Sequence, residues 1–269
     1  AHVYSRAAIF FANNNLSDLY TETLNKLETI DPYSNELFIL KKNENYAKET
    51  KISNIKQGIS EVFLNSAEIL FNEGLDRQAL IYAQISSYLE PKSDSANYLL
   101  GRIFKSINNN ERAIKYFKQV NEYSLVIHDA NIAYAETLYD IEGLPNSKEF
   151  LNNMKKSFPD NINYLRTMAE LFYKADDFES SIQYYDLIFE KIDKIEFKHW
   201  PLFYSSGIAL ERGKNWERAE KQFLTALQFV PNNPQVLNYL GYSWIDQGVN
   251  INRALEMIVN AAEQRPDDG

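Results

Sequence analysis

Small residues return at a fixed interval along this chain, and that recurrence limits its fold more than any other feature. With units counted from residues 1, 60, 94, 128, 162, 200 and 234, four of the spacings are 34 residues, and the eighth position reads Ala8, Ala67, Gly101, Ala135, Ala169, Gly207 and Gly241. Two antiparallel helices come within ~8–10 Å of each other only where the side chains at their crossing are small. The twentieth position is small as well: Ala79, Ala113, Ser147, Ser181, Ala219 and, after a one-residue insertion, Ala254, with Tyr20 the exception. Bulk stands beside these gaps. Phe11, Leu70, Phe104, Leu138, Phe172, Leu210 and Trp244 hold position eleven, and Leu24, Phe117, Leu151, Tyr185, Phe223 and Ile258 hold position twenty-four. Pro32, Pro91, Pro159, Pro231 and Pro266 close units, where a fixed φ and a missing N–H end one helix before the next begins.

The pattern predicts paired helices, and composition agrees. Nine Gly and eight Pro in 269 residues are too few for a many-stranded β-sandwich, and 45% hydrophobic residues are too many for a disordered chain. These residues resemble the tetratricopeptide repeat family over roughly four fifths of the chain. The resemblance implies an all-α, right-handed superhelical solenoid of antiparallel helix pairs. Residues 1–34 read as a divergent helix pair, 35–59 as an extra helix and polar linker, and 60–269 as six repeats (60–93, 94–127, 128–161, 162–199, 200–233 and 234–269). The segment from Gly207 to Gly269 is similar to later repeats of long bacterial tetratricopeptide proteins that are often exported. That implies a periplasmic location, with the cytoplasm as the alternative.

Three places break the period. Between Pro32 and Gly58, Asn35 to Ala47 reads as an amphipathic helix and Lys48 to Lys56 as a polar connection, which sets the first unit apart. In the fifth unit, four added residues predict a second helix running from Phe178 to Ile195. In the fourth, Glu142-Gly143-Leu144-Pro145-Asn146 replaces the usual turn. The last unit stops without a polar capping helix, which predicts either a longer array or an end covered by another copy.

Little in the sequence carries reaction chemistry. There are no cysteines, and His2, His128 and His199 stand far apart with no metal-ligand spacing. His128 and His199 read as surface or capping residues. Asp176-Asp177 and Asp267-Asp268 read as caps or solvated turns. No phosphate-binding glycine motif occurs. No cofactor and no metal are expected, and the chain is not read as an enzyme. With 37 acidic against 28 basic residues it has the wrong sign for nucleic acid, and no run is long enough for a membrane span.

What remains is a groove. In the family, positions two, five, nine, twelve and thirteen of each first helix line the concave face and bind protein segments. Carried onto this sequence, the stripe takes in Leu64, Glu68 and Phe71, then Tyr98, Arg102 and Lys105. It continues with Glu136 and Tyr139, with Arg166, Glu170 and Tyr173, and then with Tyr204, Asn238 and Tyr242. Tyrosine is a favoured recognition residue, but with 18 in the chain some must land there by packing alone. Charges alternate in sign, so some pair with each other. Position nine is never Asn, which excludes the clamp that holds chaperone tails. The expected function is a scaffold binding a peptide or helix of a partner protein. The alternatives are an assembly element that self-associates through its convex face or C-terminal end, with Leu255, Ile258 and Val259 making the contact, and the repeat arm of an enzyme.

Overall fold

The computed structural model describes residues 2–42 and 54–265. Among these residues there are fifteen α-helices and one 3-10 turn, and no strand. The helices are α1 (His2–Asn13), α2 (Ser17–Ile30), α3 (Asn35–Lys42), α4 (Ile55–Asn72), α5 (Asp76–Leu89), α6 (Asp94–Ser106), α7 (Asn110–Phe117) and α8 (Ile127–Glu142). They continue with α9 (Leu144–Ser157), α10 (Ile162–Lys174), α11 (Phe178–Glu190), α12 (Trp200–Arg212), α13 (Trp216–Phe229), α14 (Pro234–Asp246) and α15 (Ile251–Gln264). The chain forms two compact units, Ala1–Thr167 and Met168–Gly269, with the boundary inside α10.

Hairpins form between α1 and α2, α4 and α5, α6 and α7, α8 and α9, α12 and α13, and α14 and α15, and they stack through α5 on α6, α7 on α8, α11 on α12 and α13 on α14. The fold is an all-α tetratricopeptide-type solenoid. The eighth and twenty-fourth positions meet as knob and hole. A Cβ placed on Gly101 would lie 2.4 Å from the Phe117 ring, one on Gly207 2.6 Å from the Phe223 ring, and one on Gly241 2.8 Å from Ile258. Two repeats carry Ser instead of Ala at position twenty, and its hydroxyl is satisfied on the facing helix. Ser147 Oγ donates to the Ala135 carbonyl at 2.7 Å and Ser181 Oγ to the Ala169 carbonyl at 2.8 Å.

The turn between the paired helices also repeats. The fifteenth residue is left-handed in most units: Asn15, Gly74, Asn108, Asp176, Lys214 and Gly248 all have φ between 56° and 73°. In the fourth unit the positive φ falls on Gly143, at 81°, where the sequence departs from the usual turn. Polar side chains then start the next helix. Asp177 Oδ1 accepts from Ser180 N at 3.1 Å, so Asp176-Asp177 is a turn and a cap. Asp267-Asp268 and Pro266 lie outside the described residues.

Two expectations need correction. The second helix of the fifth unit ends at Glu190, not Ile195; Lys191 and Ile192 close it with short-range bonds to Ile188 and Phe189, and a 3-10 turn (Phe197–His199) leads into α12. The break in period after Pro32 also does not detach the first helices. Arg6 pairs with Glu61 at 3.2 Å, and α3 is anchored to the repeats by a buried amide network. Asn35 donates to Asp129 Oδ1 (2.8 Å) and its oxygen accepts from Asn161 (2.9 Å) and Asn163 (2.8 Å). Lys42 pairs with Asp160 at 2.7 Å, and the Tyr20 hydroxyl donates to the Leu40 carbonyl at 2.8 Å. The described part of the predicted helix over Asn35 to Ala47 is α3, and Lys48 to Ser53 of the connection falls outside the described residues.

Candidate protein-binding groove

In the first unit, the first-helix stripes of α6 and α8 line an open cavity of about 760 Å³. Phe71, Tyr98, Arg102, Lys105 and Glu136, all on the predicted stripe, come together here, with Ile132 beside them. The Arg102 guanidinium lies over two rings, 4.8 Å from the centre of Phe71 and 5.6 Å from that of Tyr98. Lys105 reaches across to Glu136 at 2.6 Å, so this pair of opposite charges is neutralised within the groove. Burial pushes the Tyr98 phenol well above its usual range, which keeps it neutral.

Asp129 and Asp140 also line the cavity and were not carried over from the sequence. The signal was available: Asp129, Glu136 and Asp140 follow one another by seven and four residues on a single face of α8. Burial raises the Asp129 carboxyl to about 6; Glu36 and Asp31 push the same way, while the hydrogen bond from Asn35 and the charge of Arg102 pull it down. Leu64 does not reach the groove: it is 1% exposed and belongs to the core. Glu68 and Tyr139 are half-buried, and Arg166 lies over the Tyr33 ring at 5.8 Å.

In the second unit the stripe is aromatic. Tyr204 packs between Trp200 and Tyr239, with ring centres 6.5 and 6.1 Å away, and Tyr239 stands over Phe223 at 5.3 Å. Tyr239 also donates to Glu211 at 3.4 Å. Trp200 and Tyr239 are residues the stripe missed, since they sit at positions one and six. Tyr173 packs on Phe178 at 5.5 Å, Glu170 is half-buried, and Asn238 and Tyr242 face solvent.

His128 and His199 are not surface residues. His128 is 2% exposed, enclosed by the edges of Phe38 and Phe158. Its Nδ1 shares a 2.6 Å hydrogen bond with the Tyr164 hydroxyl, which in turn accepts from Asn131 at 3.5 Å. Burial, with help from Lys42, lowers His128 to about 4, so the imidazole is neutral. His199 is 5% exposed and caps its own turn, its Nδ1 accepting from Glu196 N at 2.8 Å. The side chain of His2 is outside the described residues. Among the described residues no group of three His, Asp or Glu is placed to hold a metal ion, and no helix is long and apolar enough to cross a membrane.

The architecture is that of a tetratricopeptide-type helical solenoid. No family profile and no curated protein matches the sequence. Among solved structures, PilW, a widely conserved type IV pilus biogenesis factor, is similar with a TM-score of 0.61 at 15% identity, over 80% of this chain and 96% of that one. Pseudomonas aeruginosa PilF gives 0.58 at 10% identity over 80% and 96%. Cut9 with Hcn1, from the APC/C hetero-tetramer, gives 0.58 at 15% identity over 98% of this chain and 51% of the other, so the chain spans about half that length. At these identities the likeness establishes the fold.

Proposed function

We propose that the chain is a non-catalytic scaffold that holds an extended or helical segment of a partner protein in its first-helix groove. The observation that carries this reading is the open cavity between α6 and α8, where an aromatic floor fixes Arg102 and leaves Asp129 and Asp140 beside the Lys105–Glu136 pair. Such a surface offers apolar area on rigid rings, a fork of donors for a carboxylate or main-chain carbonyl, and acceptors for a basic side chain. The similarity to proteins of known assemblies and to pilus factors supports a scaffold in general and leaves the partner open. The test is affinity capture from the source cell with the wild type and with an Arg102→Glu, Tyr139→Ala variant. Loss of the captured partner with an unchanged helical circular dichroism spectrum is expected; identical partners from both would refute groove binding.

A further inference from the structure

Across the six repeats from residue 60 onward, position twenty-three of the second helix is a ring in four and an amide in one. Tyr82, Tyr116, Phe150 and Tyr184 stand there, and each lies against a ring on the first helix of its own repeat. The partners are Phe63 at 5.7 Å between ring centres, Phe104 at 5.4 Å, Tyr134 at 4.7 Å and Phe172 at 5.4 Å. In the last repeat, after the inserted residue, Met257 takes this place and is 7% exposed. In the repeat of α12 and α13 the residue is Gln222. Phe203 holds position four of α12, as Phe63 does in the repeat of Tyr82, so the position that would bring it a ring from α13 carries none.

A cavity of about 440 Å³ lies here, lined by both Gln222 and Phe203. Phe189 of α11 lines it too, stacked on Phe203 with ring centres 4.8 Å apart. Ile192 and Ile195 add apolar surface from the segment after α11 that carries the four added residues. Left empty, such a lining forfeits the dispersion contacts that a filling group would make, and apolar cavities of roughly 300–1,000 Å³ are the usual seats of small ligands, aromatic ones included. Two cations reach the same space from α13. Arg218 is engaged by Asp186 of α11 at 2.6 Å, whereas Lys221 is in no ion pair among the described residues.

We infer that this cavity binds a small aromatic carboxylate, with its ring in the space that Gln222 leaves and its charge towards Lys221. The ring follows from the four repeats that fill the same position with one. The negative charge follows from the lining, where two cations stand against one carboxylate in a chain whose net charge is −9. The site shares no residue with the groove of α6 and α8 and does not depend on the scaffold reading.

Phenylacetate is the probe, benzyl alcohol its uncharged control, and the isoleucine methyl resonances of the full 269-residue chain are the readout. Phenylacetate is expected to shift Ile192 and Ile195 saturably, with a Kd on the order of 1 mM, and to leave the buried Ile103 of the first unit unmoved. Gln222→Phe places a ring where the other repeats have theirs, so it should abolish these shifts and raise the urea midpoint. Gln222→Met, the residue at this position in the last repeat, blocks the site with less bulk should the phenylalanine variant fail to fold. Lys221→Gln, at an exposed residue, is expected to weaken phenylacetate by about two- to fivefold and to leave benzyl alcohol unchanged. The inference is overturned by the absence of a saturable shift up to ~10 mM probe, by binding that survives in a folded Gln222 variant, or by a wild type that takes benzyl alcohol as tightly as phenylacetate.

Discussion

Gly101→Ala measures the helix crossing directly. In an exposed helix, replacing Gly with Ala stabilises by about 1 kcal/mol. Here the added carbon would sit 2.4 and 2.5 Å from two atoms of the Phe117 ring, against a preferred carbon–carbon separation of ~3.5–4.0 Å. The ring must therefore move by about 1 Å. It cannot do so freely, because it is 3% exposed and packed beside Tyr98 with ring centres 6.2 Å apart. Overpacking of this kind costs roughly 1–3 kcal/mol, and the severity of the overlap places it at the upper end. The net expectation is a destabilisation of about 1–2 kcal/mol after the propensity gain. Urea unfolding followed by circular dichroism reads this as a lower midpoint. In a Phe117→Leu background the clash is relieved, and the same glycine substitution should become neutral or stabilising, a coupling of at least ~1 kcal/mol. If Gly101→Ala stabilises the otherwise wild-type chain, or the two changes simply add, the wedge is not where the crossing places it.

Asp129→Asn should stabilise the protein by roughly 1–3 kcal/mol at pH 7.5, from ~1.4 kcal/mol per pKa unit, since burial raises the carboxyl from 3.8 to about 6. The sign follows from the fold binding more protons than the unfolded chain between those values, so this residue's favourable term is present below pH 4 and is lost as the pH rises through 6. Urea midpoints at pH 4 and 7.5 check it; an equal gain at both would contradict the reading. His128 works in the opposite direction: its neutral form is favoured, stability falls as the pH drops from 6.5 towards 4, and its ring resonances should titrate near 4 and not near 6.5. Tyr164→Phe should cost ~1–3 kcal/mol by leaving a buried imidazole nitrogen unpaired, as measured by the same unfolding experiment. Lys214→Gly should gain about 0.5–1 kcal/mol, because Lys214 holds φ of 61° in an exposed turn where Gly adopts it without strain. A loss of stability there would show that the lysine side chain does something the backbone argument omits.

The hairpin core was legible in the sequence because its cause is local and periodic. A gap at Gly207 demands bulk at Phe223, and both sit at fixed offsets within one unit. The end of α11 was not, since the added residues continue a helical pattern while the chain turns at Lys191. Nor was the docking of α3. Asn35 meets Asp129, Asn161 and Asn163 across more than ninety residues, and polar contacts between distant segments leave no period to read. His128 looked like a surface residue from its place near a helix start, and only the approach of Phe38 from the non-repeating segment, with Phe158, buries it. In the groove, the charge of Lys105 and Glu136 could be read as part of an alternating stripe; that they pair at 2.6 Å needed the distance between neighbouring first helices.

Site-specific photocrosslinking in the source cell tests groove recognition most directly. A benzophenone residue replacing Tyr139, on the first-helix stripe of α8, is compared with one replacing Tyr88, which is 82% exposed on the second helix α5. The account predicts a discrete crosslinked partner at Tyr139 and none at Tyr88; a partner captured at Tyr88 and not at Tyr139 would contradict it.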